Sequence, residues 1–268
     1  MLFTLLSNSY FVGFFKGNIY KGPLKKLCLP GLNCYSCPGA LGSCPIGSMQ
    51  AVLGGLKYDV SYYVLGLISL FGILLGRLIC GFLCPFGLFQ DLLYKIPSKK
   101  LNINKKIDKF LRLIKYFILL FFVILMPIFL VNDYGTALPY FCKYICPSGT
   151  LIGGLPLIST NSGLRSIIGS LFFFKISILI IISISSIFIY RPFCKYICPL
   201  GAFYSFFNKV SFYKYKVNDK CINCNICSKA CKMNINPSIN PNSLECIRCS
   251  ECVKSCPKNA IEKGFYLK

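Results

Sequence analysis

Apolar residues in this chain come in long blocks rather than in alternation, and lysine-rich or glycine-rich stretches separate the blocks. Val60 to Leu83 is nearly unbroken, with Arg77 close to its end, and Tyr116 to Val131 and Ile167 to Tyr190 repeat the pattern. A helix needs ~20 apolar residues to cross a bilayer, and only helices or closed barrels satisfy their backbone there. Each block is therefore predicted to be a transmembrane helix, the second kinked by Pro127 and the third with Lys175 snorkelling to the interface. Residues 1–15 are apolar but short, and no basic stretch precedes them as in a signal peptide. They are predicted to be a first, marginal span, with an interfacial segment as the alternative. Residues 1–211 thus read as a bundle of about four transmembrane helices. From residue 212 the blocks give way to short, polar, cysteine-rich sequence, and 212–268 reads as a separate domain.

Composition agrees with that division. The 268 residues are 55% apolar with a mean hydropathy of +0.62 and carry a net charge of +22, too oily for an ordinary soluble domain. The lysines flank the apolar blocks and form no patch interleaved with base-stacking aromatics, so a nucleic-acid partner is excluded. They instead read as an orientation signal facing membrane lipid, with part of the excess a solvated face. Eight lysines and arginines lie within 95–115 and six more between Arg191 and Lys220, against eight on the opposite side. Although Lys16, Lys21, Lys25 and Lys26 run counter to it, the balance predicts a multi-pass protein of the cytoplasmic membrane with a cytoplasmic C-terminal domain.

The chain has 18 cysteines and no histidine. Bis-His and His/Met haem, a Rieske centre and a Ser-His-Asp triad are all beyond it, and no haem is expected. Any redox chemistry must use sulfur ligands or a bound organic cofactor. Cys221, Cys224, Cys227 and Cys231 form C-x2-C-x2-C-x3-C, and Cys246, Cys249, Cys252 and Cys256 repeat it, with Pro257 following. Three cysteines two residues apart wrap one cubane face, and the fourth of each run serves the other cluster. The predicted ligand sets are Cys221, Cys224, Cys227 and Cys256 for one [4Fe–4S] cluster, and Cys246, Cys249, Cys252 and Cys231 for a second. Structural zinc, which favours two separated pairs, fits the spacing poorly. The stretch 218–262 resembles the bacterial two-cluster ferredoxin module, with Lys232 where a proline is usual. That resemblance implies a small α+β fold for the C-terminal domain.

A second cysteine pattern repeats in the apolar part. R-L-I-C-G-F-L-C-P-F-G-L-F at 77–89 and R-P-F-C-K-Y-I-C-P-L-G-A-F at 191–203 share R-x2-C-x3-C-P-x-G-x-F, and 141–149 gives a third copy without the arginine. Cysteines four apart in a helix lie on one face, and the proline suits a helix ending there. Cys80, Cys84, Cys194 and Cys198 are predicted to meet at the inner membrane face, as ligands of a further cluster, or else as buried free thiols or a redox-active dithiol, with Arg77 and Arg191 balancing the charge of a cluster. On the outer side Cys28, Cys34, Cys37 and Cys44 read as another cluster site or as disulfides, with Cys142 and Cys146 nearby. One or two clusters are thus expected beyond the tail pair.

Together the spans, the C-x3-C-P motifs at 80–85, 142–147 and 194–199, and the tail runs resemble the membrane-bound ferredoxins of the NapH/MauN type from about residue 20 onward. The resemblance implies an electron-transfer subunit of an oxidoreductase complex rather than a stand-alone enzyme. It would relay electrons between a cytoplasmic donor and quinone or an outer redox partner. The implied partners are a soluble ferredoxin, flavodoxin or flavoprotein and a reductase subunit; ten basic against four acidic residues in 212–268 suit an acidic donor. The alternative the family offers is an assembly, maturation or redox-regulatory role.

Overall fold

The structure, a computed structural model, describes residues 2–55, 61–101, 103–131 and 137–266. It is mainly helical, with one two-stranded sheet among the described residues. The longer helices are α1 (Pro45–Gly54), α2 (Tyr62–Leu75), α3 (Pro85–Tyr94), α4 (Lys105–Phe129), α5 (Ser170–Phe188) and α6 (Pro199–Phe207). The strands are β1 (Tyr213–Val217) and β2 (Ile261–Phe265).

Among the described residues, α4 and α5 are the helices long and apolar enough to cross a membrane. Only 28% and 17% of their most apolar stretches are buried, whereas the core helix of a soluble protein would be mostly covered. Phe117, Leu120 and Phe121 on α4, and Phe173, Ile180, Ile181 and Ile184 on α5, face outward. In α4, residues 119–125 widen into a π-helical stretch immediately before Pro127. Here the proline's missing N–H is absorbed by a loosened turn. Lys175 does not snorkel to an interface; its Nζ donates to the Cys142 carbonyl at 3.1 Å.

The other two expected spans take a different form. Residues 2–16 fold as two short helices, Leu2–Ser7 and Val12–Lys16, each too short to cross. The Val60–Leu83 block, whose first residue lies outside the described residues, breaks at Gly76 into α2 and a short helix, Leu78–Phe82. Gly76 sits at φ 54°, in the left-handed region, and a Cβ there would stand 2.6 Å from Asn208 Oδ1 and 2.7 Å from Arg248 Nη1. The break frees the Arg77 N–H to donate to Asn208 Oδ1 at 2.9 Å.

The C-x3-C-P motif is also not one continuous helix. A residue before proline is kept out of the α region, and proline itself is welcome at a helix's first position. Cys44, Cys84, Cys146 and Cys198 accordingly take extended backbone, with ψ between 109° and 130°, and each begins a new helix at the following proline. The motif is a corner, with the first cysteine inside a short helix and the second at its turn into the next.

The tail closes on itself through β1 and β2, antiparallel from Tyr213↔Phe265 to Val217↔Ile261. It docks directly on the helical part. Phe212 N donates to Ile73 O at 2.8 Å, and Arg248 reaches Leu75 O at 2.7 Å and Ser211 Oγ at 2.6 Å. Asn208 Nδ2 donates to the carbonyls of Ser243 and Cys246.

Candidate functional site

In the tail, each C-x2-C-x2-C loop is bent by two residues in the left-handed region that flank its middle cysteine. They are Asn223 and Asn225 in one loop and Arg248 and Ser250 in the other. Such a backbone turns successive N–H groups inward, the arrangement that favours an anionic group in its concavity. Asparagine tolerates this conformation readily; Arg248 does not, and its hydrogen bonds to Leu75, Asn208 and Ser211 hold it there. Cys221, Cys224, Cys227 and Cys256 line one hollow. Cys231, Cys246, Cys249 and Cys252 line the other. These groupings join each run's first three cysteines to the last cysteine of the opposite run.

The helical part brings eight more cysteines into two groups. Cys80, Cys84, Cys194 and Cys198 lie together as a near tetrad, on the tail's side. Cys34, Cys44, Cys142 and Cys146 form a far tetrad, lining one cavity of ≈ 980 Å³. The four cysteines between 28 and 44 therefore do not form a set of their own. Cys28 is engaged with Ser43 and Ser48, and Cys37 lies 3.7 Å from Asn8 Oδ1. No disulfide joins any of the eighteen cysteines, the outer ones included.

The two tetrads share one plan. In the near tetrad, Arg77 Nη2 donates to the Cys194 carbonyl at 3.3 Å, and Arg191 Nη1 donates to the Cys80 carbonyl. Each arginine thus reaches across to the other repeat's first cysteine. In the far tetrad Lys175 donates to the Cys142 carbonyl, the position matching Cys194. Lys25 donates at 2.8 Å to the carbonyl of Ala40, four residues before Cys44, where Cys80 stands four before Cys84. Two lysines from unrelated parts of the chain take the places of two arginines. The glycine of C-P-x-G is where these cations come close: a Cβ on Gly87 would meet Arg191 Nη1 at 3.3 Å, and one on Gly201 would meet Arg77 Nη2 at 3.3 Å.

Two further residues were missed by reading the cysteine motifs alone. Gln90 Nε2 lies 3.1 Å from Cys194 Sγ, and Gln50 Nε2 lies 3.3 Å from Cys142 Sγ. The signal is in the sequence: C-P-I-G-S-M-Q at 44–50 and C-P-F-G-L-F-Q at 84–90 both read C-P-x-G-x2-Q.

Burial is the first reason that these thiols are hard to ionise, and their neighbours are the second. Cys44 and Cys198 are pushed well up by desolvation and then by the other thiols of their tetrads, and Cys142 is pushed up to about 11. Such a set becomes four thiolates only around a bound cation, whose arrival releases the protons. Among the described residues, no three cysteine, aspartate or glutamate side chains converge closely enough to share one metal ion. Four cysteine sulfurs around one hollow are the ligand set that a [4Fe–4S] cluster takes.

The sites are arranged in sequence. Arg77 joins the near tetrad to the tail: its Nη1 donates to Leu244 O at 2.9 Å and to Glu245 Oε2 at 3.0 Å, one residue before Cys246. Ile247 is buried in the helical core, and Cys231 and Cys249 pack against it. Tyr204, fully buried, is near the thiols of Cys80 and Cys84 and also of Cys28 and Cys44, and its hydroxyl donates to Pro30 O at 2.9 Å.

A helical scaffold with cysteine tetrads end to end defines a protein of the polyferredoxin class. A 4Fe–4S binding domain model matches residues 60–104, 115–165 and 171–218, and a second 4Fe–4S binding domain model matches 239–262. The chain belongs to this 4Fe–4S binding, ferredoxin-type family. It is 32% identical to the uncharacterized protein MJ0750 of Methanocaldococcus jannaschii over 171 residues, 61% of each chain. It is 29% identical to the putative electron transport protein YccM of Escherichia coli, covering 61% of this chain and 43% of that one. With the methylamine utilization ferredoxin-type protein MauN of Paracoccus denitrificans it shares 27% identity, over 68% of this chain and 54% of that one. The matched region thus spans about half of these relatives' length. No solved structure matches.

Proposed function

We propose that the chain is a membrane-bound electron-transfer protein that carries [4Fe–4S] clusters on its four cysteine tetrads. A cluster in each tetrad supplies one-electron exchange at low potential. The observation that carries this reading is the order of the sites. The tail tetrad of Cys231, Cys246, Cys249 and Cys252 is pressed against the near tetrad through Arg77 and Glu245, and the far tetrad lies beyond Tyr204. The relative YccM, a putative electron transport protein, supports the same class of work.

The polypeptide's part is to hold, insulate and balance. The cations on the first-cysteine carbonyls, Arg77 and Arg191 near and Lys175 on the far side, offset the negative charge of four thiolates and their iron. The helical core keeps water from the near tetrad. In this reading electrons enter at the tail, on the cytoplasmic side, where a basic surface suits an acidic ferredoxin, flavodoxin or flavoprotein. They leave from the far tetrad, whose cavity of ≈ 980 Å³ is of the size that takes a small organic acceptor such as a quinone. Helices α4 and α5 hold the whole in the cytoplasmic membrane.

Iron and acid-labile sulfide analysis of anaerobically purified protein tests the reading directly. About 16 irons per chain are expected with all four tetrads loaded, and ~8 would confine the clusters to the tail. A preparation without iron, or filled with zinc, sinks it.

A further inference from the structure

Gln50 and Gln90 do the same thing in two places. Both are buried, at 1% and 0% exposure, six residues after the cysteine that opens their helix. Gln90 Oε1 accepts from the Phe193 backbone N–H at 3.1 Å, and Gln50 Oε1 accepts from Phe141 N–H at 3.0 Å. Because a backbone N–H can only donate, the amide oxygen must face it, which settles the amide's orientation. The Nε2 group is then turned toward sulfur, Cys194 for Gln90 and Cys142 for Gln50. The remaining amide hydrogen has a partner within the same helix, Phe86 O at 3.3 Å or Ile46 O at 3.2 Å.

A primary amide inside a helical core is costly unless its hydrogen bonds are made. Packing alone would be served by leucine or methionine. The unmatched element in that account is the sulfur. A neutral thiol is a weak acceptor, whereas a thiolate bound to iron carries charge that an N–H stabilises. Reduction adds negative charge to the site, so the same N–H stabilises the reduced form more than the oxidised one. Hydrogen bonds to ligand sulfurs are one of the factors that set iron–sulfur potentials.

We propose that Gln50 and Gln90 are positioning residues that set the reduction potentials of the far and near tetrads, each through one amide hydrogen bond to a ligand sulfur. The inference rests on the reading that these tetrads hold clusters, and it adds which residues tune them. Each glutamine also ties its Cys-Pro corner to the partner corner through the Phe N–H, so position and potential are set by one side chain.

The test separates these effects. Gln90→Glu keeps an oxygen for Phe193 N–H but, when ionised, offers sulfur no hydrogen and adds a negative charge that lowers the potential too. Gln90→Leu removes both hydrogen bonds without adding charge, and its potential must fall as well. Iron content and EPR-monitored redox titration are measured on the detergent-solubilised full chain. Gln90→Glu is expected to keep its iron while one signal moves to lower potential by at least tenfold in the reduced-to-oxidised ratio, about 59 mV for one electron. The tail signals stay in place, and Gln50→Glu moves a different signal. Full iron with an unmoved potential overturns the proposal. So does loss of iron from Gln90→Glu and Gln90→Leu alike, which makes the amide a builder of the site rather than its tuner. A wild-type chain without iron on Cys80, Cys84, Cys194 and Cys198 fails the functional reading itself, and the proposal with it.

Discussion

Arg77 and Glu245 form a buried ion pair at 3.0 Å that joins the helical part to the tail, with the arginine side chain fully buried. The two residues stand 168 positions apart, and each is next to a cysteine motif. The same guanidinium donates to Leu244 O and to the Cys194 carbonyl, so one side chain holds the edges of two tetrads. Lys115 closes on the same carboxylate from α4, at 2.7 Å from Oε1. Two cations therefore share one anion in a site shut off from water.

Replacing Glu245 with glutamine leaves Arg77 and Lys115 buried without a counter-charge. Removing one partner of a buried pair costs about 3–5 kcal/mol. Glu245→Gln is expected to loosen the tail, measured as faster proteolytic release of residues after 211, while tail iron persists. A tail as protected as in the wild type would show that the pair does not hold the interface.

The same pair predicts a pH dependence. Burial alone would raise the Glu245 carboxyl, but Arg77 and Lys115 beside it hold it below the usual carboxylate range. A lowered value means that the folded state binds fewer protons than the unfolded one. The stabilisation is then complete above the ordinary carboxylate value and is lost as the pH falls through the lowered one. The protection factors of interface amides, taken against the intrinsic exchange rate at each pH, should fall on acidification in the wild type and change little further in Glu245→Gln.

The grouping of the tail cysteines around two hollows and the meeting of Cys80, Cys84, Cys194 and Cys198 were legible in the sequence, because both rest on short repeated spacings that tie several cysteines to one local backbone. Helix α5 was legible for the same local reason, an unbroken apolar run. The break at Gly76 was not, since hydropathy averages over a glycine and the break is imposed by Asn208 and Arg248 from far along the chain. The far tetrad was legible only in part. Spacing suggested that Cys28, Cys34, Cys37 and Cys44 belong together, whereas packing pairs Cys34 and Cys44 with Cys142 and Cys146. The lysines in the arginine positions share no motif with them, and only the fold brings Lys25 and Lys175 to equivalent carbonyls.

That difference gives a prediction about the outer cysteines. Cys34→Ser removes a member of the far tetrad and is expected to lower iron by one cluster, ~4 atoms per chain. Cys37→Ser, three residues away but outside the tetrad, is expected to leave the iron count unchanged. If Cys37→Ser lost ~4 irons and Cys34→Ser did not, the assignment would be reversed.

Charge at the far tetrad offers a second handle. Lys175 is the one cation on α5, and its Nζ donates to the Cys142 carbonyl while lining the cavity. Lys175→Met keeps the apolar stem and removes the charge. Removing a nearby positive charge disfavours the extra electron, so the far-site potential should fall by redox titration while the near-site potential holds. An equal fall at both sites would mean that the lysine acts on the fold rather than on its own tetrad.

Gly76 ties the break in the apolar block to docking of the tail, and a neighbouring glycine supplies the control. A methyl at Gly76 faces Asn208 Oδ1 at 2.6 Å and Arg248 Nη1 at 2.7 Å, on a backbone with φ of 54° that an L side chain rarely adopts. Backbone strain of this kind costs of the order of 1–3 kcal/mol, and the clash falls on the two side chains that hold the tail in place. At Gly66, inside α2, a Cβ meets nothing within 4 Å, and alanine there gains about 0.5–1 kcal/mol of helix propensity. Gly76→Ala should therefore lower the thermal midpoint and speed tail release, while Gly66→Ala leaves both unchanged or improved. Equal behaviour of the two variants would detach the helix break from the docking of the tail, and with it the reason the near tetrad sits where Cys231 and Cys249 can reach it.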